Sequence, residues 1–162
     1  MPRRIILASV LLLCVILAGR ELMSLPNSTF SNVKTAPVAA VDAFHQALAK
    51  GDPAGALALL APNLVVCEFG VIDPTRDAYA FAHLPIDMSL AMSARWTLKT
   101  RKMGGTGDQR WVVSSYRVVG TGPDGSAVDQ IILETMILQR SANTYSISHI
   151  HWSAYPSAPG KA

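Results

Sequence analysis

The C-terminal half of the sequence is rich in β-branched and aromatic residues, and short turns divide it into four segments. Val, Ile, Thr and aromatic side chains favour strands, whereas short clusters of Gly, Asn, Asp and Ser favour turns between antiparallel neighbours. This part of the chain is therefore predicted to form an antiparallel meander. The four strands are expected at residues 96–103, 110–120, 127–139 and 145–153.

The pattern that precedes the meander is helical. Apolar residues recur three and four positions apart between Val38 and Leu48, and Gly51 ends the run. Proline lacks the N–H that a helix interior needs, so a helix that reaches Pro85 is expected to kink or restart there. The elements predicted here are helices at 37–50, 52–61 and 73–92, with one strand at 64–69 between the last two.

The two ends of the chain are interpreted as lying outside the folded domain. Arg3 and Arg4 precede an unbroken apolar run at 5–18, which is typical of a signal peptide or an uncleaved anchor formed by residues 5–19. Export to the periplasm or the medium is the expectation, with the membrane touched only by this segment. The domains predicted are a leader at 1–23, a flexible tether at 24–36, one folded domain at 37–155 and a disordered tail at 156–162.

Composition excludes some classes of function. After Ser24 the chain carries 11 Lys and Arg against 10 Asp and Glu, so it lacks the basic surface of a nucleic-acid-binding protein. Cys14 lies in the leader, which leaves Cys67 without a partner for an intramolecular disulfide. The domain must therefore be held by its apolar core, and no cofactor is expected.

The last strand supplies the most suggestive side chains. Strict alternation places Tyr145, Ile147, His149 and His151 on one face. Two imidazoles beside an aromatic ring and an aliphatic side chain predict a half-apolar hollow with a polar end.

Other polar residues stand out because they interrupt apolar patterns. Glu68 is the one charged residue of the strand at 64–69, where a buried carboxylate would need a partner or a raised pKa. Arg117 precedes two valines and would suit an anionic ligand at a cavity mouth, although an outward position on a half-exposed sheet is slightly favoured. His83 and Asp87 are four residues apart, the spacing of a pair on one helix face. His45 borders the first apolar stripe, where a packing role is favoured over a functional one.

Two segments resemble a known superfamily. The Val41–His45 stretch that leads to Gly51, together with the closing Ser148–Ser153 stretch, resembles the nuclear transport factor 2-like superfamily and its SnoaL-like branch. The last strand is also similar to that of the calcium/calmodulin-dependent kinase II association domain. The resemblance implies an α+β fold: a cone-shaped, curved antiparallel sheet packed on three N-terminal helices. It further implies a pocket at the open end and a homodimer formed through the sheet.

Three functions are compatible with these patterns. The favoured one is binding of a small apolar or anionic molecule, with Met136 and Tyr145 lining the pocket and Arg117 and His83 as polar contacts. The second is an enzyme of the isomerase, cyclase or lyase kind. The resemblance of this chain to the isomerases implies that Glu68 would be the general base of such an enzyme. In such an enzyme His149 and His151 would be the oxyanion donors. The third function is metal binding, with the same two histidines as ligands and His83, Asp87 or Glu68 completing the site.

The isomerase comparison has one gap. The tyrosine that those enzymes use has no counterpart here, because the first helix offers Phe44 and His45 instead.

Overall fold

The computed structural model describes residues 36–157. The predicted leader, nearly all of the tether and the end of the tail lie outside these residues. Within them, no helix is both long and apolar enough to span a bilayer. The helices are α1 (Ala36–Lys50), α2 (Pro53–Ala58), α3 (Arg76–Ala82) and α4 (Leu84–Ser93). The strands are β1 (Leu60–Glu68), β2 (Val71–Asp73), β3 (Ala94–Gly104), β4 (Gln109–Thr121), β5 (Ala127–Ser141) and β6 (Thr144–Pro156).

The six strands form one sheet in the order β2-β1-β6-β5-β4-β3. The four-stranded meander is confirmed, because β3 to β6 pair as antiparallel neighbours in chain order. β1 joins the free edge of β6 in parallel, and β2 extends that edge by pairing antiparallel with β1. The α+β class with N-terminal helices on a curved sheet is confirmed, with one parallel pair within it.

The helices differ from the prediction at the end of α2, because residues 60 and 61 belong to β1, whereas the predicted break at Pro85 is observed. The third predicted helix is two helices, because α3 ends at Ala82 and α4 restarts at Leu84 with Pro85 in its first turn. This is the restart that the proline predicts, since a missing N–H costs nothing in a first turn. The extra strand β2 was not predicted, and it occupies residues assigned to a loop and a helix start.

The core lies between α1 and the inner face of the sheet. Val41, Phe44 and Leu48 of α1 are buried, as their helical spacing predicts. Phe44 stacks on Trp152 of β6 with ring centroids 6.4 Å apart and planes 21° apart. This contact packs the first helix against β6, near the middle of the sheet.

An irregularity in β6 reverses the expected faces of the last strand. His149 lies opposite Ile137 in β5, but Ile147 lies opposite the next residue, Leu138. Ser148 is therefore an extra residue in β6, and such a bulge shifts the alternation that follows it. Beyond the bulge, Ile150 is buried in the core.

Gly120 marks the closest approach of β4 to the start of β3. A Cβ atom at this position would lie 2.5 Å from the Cα of Ala94 and 2.5 Å from the carbonyl oxygen of Ser93. Backbone atoms cannot yield as a side chain can, so we expect Gly120→Ala to lower the free energy of unfolding by about 1–3 kcal/mol. Urea denaturation measures the change. Thr121→Ala, at the exposed next residue, should stay within about 0.5 kcal/mol, and equal losses in the two variants would contradict the steric explanation.

Candidate functional site

A pocket of about 380 Å³ opens between α1, the end of α4 and strands β3 and β4. It combines small apolar side chains with a few polar ones, the composition usual for small-molecule sites. The apolar part comes mainly from alanines, which leave the space free. The lining residues are Asp42, His45, Gln46, Ala49, Ala91, Ala94, Trp96, Leu98, Arg101 and Tyr116.

Three rings form one wall of the pocket. His45 lies 5.6 Å from Trp96 and 5.1 Å from Tyr116, measured between ring centroids. Trp96 and Tyr116 meet edge to face at 5.6 Å. Such mutually tilted rings are a favourable arrangement, and they form a rigid surface for a flat or ring-shaped ligand.

Arg101 is held by three hydrogen bonds at the edge of this wall. Its Nη1 donates to Asp42 Oδ1 at 2.6 Å, its Nη2 to the Tyr116 hydroxyl oxygen at 2.6 Å, and its Nε to Ser114 Oγ at 3.1 Å. Burial raises the pKa of Tyr116 well above its usual value, and the charge of Glu134 adds to that shift. Tyr116 therefore stays protonated at neutral pH and keeps its own proton to donate.

His45 is backed by a buried carboxylate. Its Nε2 lies 2.7 Å from Glu134 Oε2, and the Trp152 Nε1–H donates to the same oxygen at 2.9 Å. Glu134 is 1% exposed. Burial by itself would raise the pKa of Glu134. The charge and hydrogen bond of His45, with the Trp152 bond and the charge of Arg101, outweigh it and hold the pKa below its usual 4.5.

This shift makes the stability depend on pH in a defined direction. A carboxylate whose pKa is lower in the folded chain stabilises it fully above the unfolded pKa and less as pH falls through the folded one. We expect the thermal midpoint of the wild-type protein to fall more steeply below about pH 4.3 than that of Glu134→Gln, which has no proton to gain. Circular dichroism melts from pH 7 to 3 measure this, and parallel curves would contradict it.

Two buried polar atoms at this site have no hydrogen-bond partner among the described residues. They are Nε1 of Trp96 and Oε1 of Glu134. A buried donor without an acceptor costs free energy, so such groups commonly mark a position that water or a ligand fills. Trp96 is also one of the residues that line the pocket.

The predicted inward pair, His149 and His151, does not face this pocket. Ile150 and Trp152 fill the inner face after the bulge, so the two histidines lie on the outer face and His151 is exposed. The prediction that they share a face with Ile147 is wrong, because alternation was counted through the extra residue. Roles for them as oxyanion donors or joint metal ligands lose their geometric basis.

The predicted ligand contacts are also placed elsewhere. Arg117 lies on the outer face and binds Asp129 through two hydrogen bonds of 3.1 and 2.9 Å, so the outward position is confirmed and the alternative position at a cavity mouth is wrong. Met136 is fully buried in the core. Tyr145 is half-buried against the same core. Neither of these two side chains lines the pocket.

Glu68 and His83 meet each other away from the pocket. Glu68 is on the inner face of β1, as its alternation with Leu64 and Val66 predicts. His83 Nδ1 lies 2.6 Å from Asp73 Oδ2 and 3.6 Å from Glu68 Oε1. The predicted pairing of His83 with Asp87 is wrong, since Asp87 accepts a 2.8 Å hydrogen bond from Tyr79 instead.

Sequence reasoning missed most of the pocket. His45 was interpreted as a packing residue, yet it lines the cavity. One signal was present: Glu134 alternates with Met136 and an apolar neighbour on an inner face, where an unpaired carboxylate would be costly. Its partners, however, come from other elements.

The curved sheet packed on N-terminal helices places the protein in the nuclear transport factor 2-like class of folds. Sequence comparison then identifies the family, because its profile matches residues 34–156. The chain belongs to the calcium/calmodulin dependent protein kinase II association domain family. No curated protein sequence matches it significantly.

Several solved structures share the fold. A candidate ketosteroid isomerase from Shewanella frigidimarina is 29% identical, with a TM-score of 0.70 over 75% of this chain and 98% of that one. An association-domain protein from Xanthomonas campestris is 21% identical, with a TM-score of 0.62 over 75% and 88%. The S. rosetta kinase hub is 21% identical, with a TM-score of 0.63 over 74% and 95%. The predicted resemblance to the superfamily and to the association domain is confirmed.

Proposed function

We propose that this domain binds a small, partly apolar molecule that carries an acceptor oxygen. The observation that carries the proposal is the indole N–H of the pocket-lining residue Trp96, which is buried and has no acceptor among the described residues. The Tyr116 hydroxyl, already accepting from Arg101, offers a second donor nearby. A ligand oxygen between these groups would satisfy both.

The charges of the pocket favour a neutral ligand over an anion. Arg101 is paired with Asp42 at 2.6 Å, and His45 is paired with Glu134 at 2.7 Å. An incoming anion would therefore have to compete with a carboxylate already in place. Cyclic ketones and aromatic aldehydes combine the required acceptor, a flat apolar body and no charge.

Binding is tested by a thermal-shift series with cyclic ketones, matched carboxylic acids and matched hydrocarbons, because ligands of the native state raise the midpoint. Ketones should give the largest rise. Trp96→Phe keeps a ring but removes the N–H, and we expect about a tenfold loss of affinity, the usual worth of one hydrogen bond. Trp111→Phe on the outer face is the matched control. Equal ketone affinity in wild type and Trp96→Phe would end the proposal.

A specific observation favours a second candidate, proton transfer. A buried carboxylate that accepts from one ring nitrogen fixes the orientation of an imidazole, so that its other ring nitrogen can accept a proton. Glu134 stands in this relation to His45, whose ring lines the pocket beside Tyr116. His45 would take a proton from the carbon next to a carbonyl, while Tyr116 would donate to the developing oxyanion. The name of the Shewanella frigidimarina relative is consistent with this chemistry.

Deuterium exchange at the α-carbon of the same ketones tests this activity by NMR. His45→Gln should lower the exchange rate at least a hundredfold, the usual contribution of a positioned general base. His151→Gln removes an exposed imidazole outside the pocket and should leave the rate unchanged. An unchanged rate in His45→Gln would remove His45 as the base, while ketone binding could still stand.

We also propose that two copies associate through the outer face of the sheet. This face exposes Trp111 by 40%, Val113 by 40%, Leu133 by 44% and Tyr155 by 51%. Contiguous apolar exposure of this kind commonly marks an interface, and relatives are named as an association domain and a hub. Light scattering should show a dimer that Leu133→Glu dissociates. Phe81→Glu, on an exposed part of α3, is the control.

Export stays a proposal that rests on sequence alone. Arg3 and Arg4 followed by the apolar run at 5–18 support it. Cell fractionation of the full chain, compared with a chain that lacks residues 1–23, tests it, and a cytoplasmic location for both would contradict it.

A further inference from the structure

A second group of ionisable side chains lies apart from the pocket, on the opposite edge of the sheet. Glu68 and Asp73 come from β1 and β2, and His83 lies between α3 and α4. One ligand atom from each of the three lies within 4.8 Å of the others. None of the three lines the pocket between β3 and β4.

From this geometry we propose a binding site for one divalent transition-metal ion, formed by Glu68, Asp73 and His83. The site does not depend on the function proposed for the pocket. Its two carboxylates and one neutral imidazole match the charge of a divalent ion and offer a mixed oxygen and nitrogen ligand set. Zn²⁺ and Mn²⁺ accept such ligands.

Glu68 is the independent sign that something is bound here. Its side chain is 2% exposed, and both carboxylate oxygens are buried without a hydrogen-bond partner among the described residues. Oε1 points toward His83, 3.6 Å from Nδ1. A buried carboxylate normally pairs or coordinates a metal, because leaving it alone is costly. Within residues 36–157, no donor lies at hydrogen-bond distance from this group.

The chain builds the cluster through a tight hairpin. Phe69 and Gly70 both have positive φ, 48° and 85°, which turns β1 back on itself into β2. In the resulting register Asp73 lies opposite Val66. Glu68 is two residues beyond Val66 on the same face, so the two carboxylates become diagonal neighbours.

His83 completes the group at the break between two helices. It ends α3 and precedes α4, and its ring is 23% exposed, which gives an ion a path from solvent. Its Nδ1 now contacts Asp73 at 2.6 Å, so a metal would replace this hydrogen bond. Metal–ligand bonds of roughly 2.0–2.2 Å bring ligand atoms closer than 4.8 Å. Small side-chain rotations would therefore suffice to close the site.

The neighbouring groups favour a metal ion, rather than a further hydrogen-bond donor, as the partner of these carboxylates. Asp87 is engaged by the Tyr79 hydroxyl at 2.8 Å and does not point a free donor at the cluster. Burial raises the pKa of Asp87 well above its usual value, and the charge of Glu68 raises it further. A cation between Glu68 and Asp73 would relieve this concentration of negative charge.

The test uses the untagged full chain, stripped of metal with a chelator and titrated with Zn²⁺ and with Mn²⁺ by calorimetry. We expect saturable binding of one ion per chain and a rise of the thermal midpoint with metal. Glu68→Gln and Asp73→Asn should each weaken binding at least tenfold. His151→Gln removes an exposed imidazole elsewhere and should bind as the wild type does. Ca²⁺ and Mg²⁺, which prefer all-oxygen sites, should bind more weakly.

Glu68→Gln keeps the test decisive even if another variant fails to fold. It retains the shape of the side chain and removes an unpaired buried charge, so its midpoint without metal should equal or exceed that of the wild type. The same variant should lose the metal-dependent rise. Absence of saturable binding up to millimolar metal, or unchanged affinity in Glu68→Gln, would overturn the proposed site.

Discussion

Glu134→Ala is expected to lower the free energy of unfolding by about 3–5 kcal/mol, the range found when one partner of a buried ion pair is removed. Glu134 accepts from His45 at 2.7 Å and from the Trp152 indole at 2.9 Å. Truncation leaves both donors facing an empty space in the core. Chemical denaturation followed by tryptophan fluorescence measures the loss.

Glu134→Gln separates the charge from the hydrogen bonds. The amide oxygen can still accept from the Trp152 N–H, and the volume is nearly unchanged, so we expect a loss well below that of the alanine variant. His45→Gln, measured beside it, shows how much depends on the imidazole. If alanine at position 134 cost less than about 1 kcal/mol, the pair would not stabilise the fold as described.

Ile150→Ala is expected to cost about 2–5 kcal/mol, whereas His151→Ala should stay within about 0.5 kcal/mol. Ile150 is 0% exposed in the core, and His151, the next residue, is exposed on the outer face. The two substitutions test the face reversal caused by the bulge at Ser148. Both free energies come from urea denaturation.

The opposite ranking of the two losses in unfolding free energy would support a regular alternation along β6 and contradict the face reversal. If His151→Ala cost several kcal/mol and Ile150→Ala little, the imidazoles would face inward. His149→Ala gives a third measurement on the same strand. It should resemble His151→Ala, because the two side chains share the outer face after the bulge.

Much of the fold could be predicted from local patterns. The meander follows from alternation and turn residues, and the restart of the helix at Pro85 follows from the missing N–H. That Glu68 shares a face with Leu64 and Val66 was predicted from their alternation, while its burial was left open against a solvated strand end. Each of these features depends on residues within about ten positions of one another along the chain, and periodicity records that range well.

The pocket could not be predicted in the same way. His45, Trp96, Arg101 and Tyr116 come from three elements, and the partner of His45 is Glu134, 89 residues away. No local pattern states which polar side chain will meet another across a core. The inward orientation predicted for His149 and His151 was wrong because the alternation of the last strand appeared regular.

The sequence by itself determined the order and kind of the elements, since backbone preference and side-chain period act over a few residues. Only the tertiary structure decided the site. Pairing with β5 placed the extra residue at Ser148 and turned His149 and His151 outward. The hairpin at Phe69 brought Asp73 beside Glu68, and the packing of α1 brought His45 to Glu134. These contacts depend on distances between elements, which local periodicity does not encode.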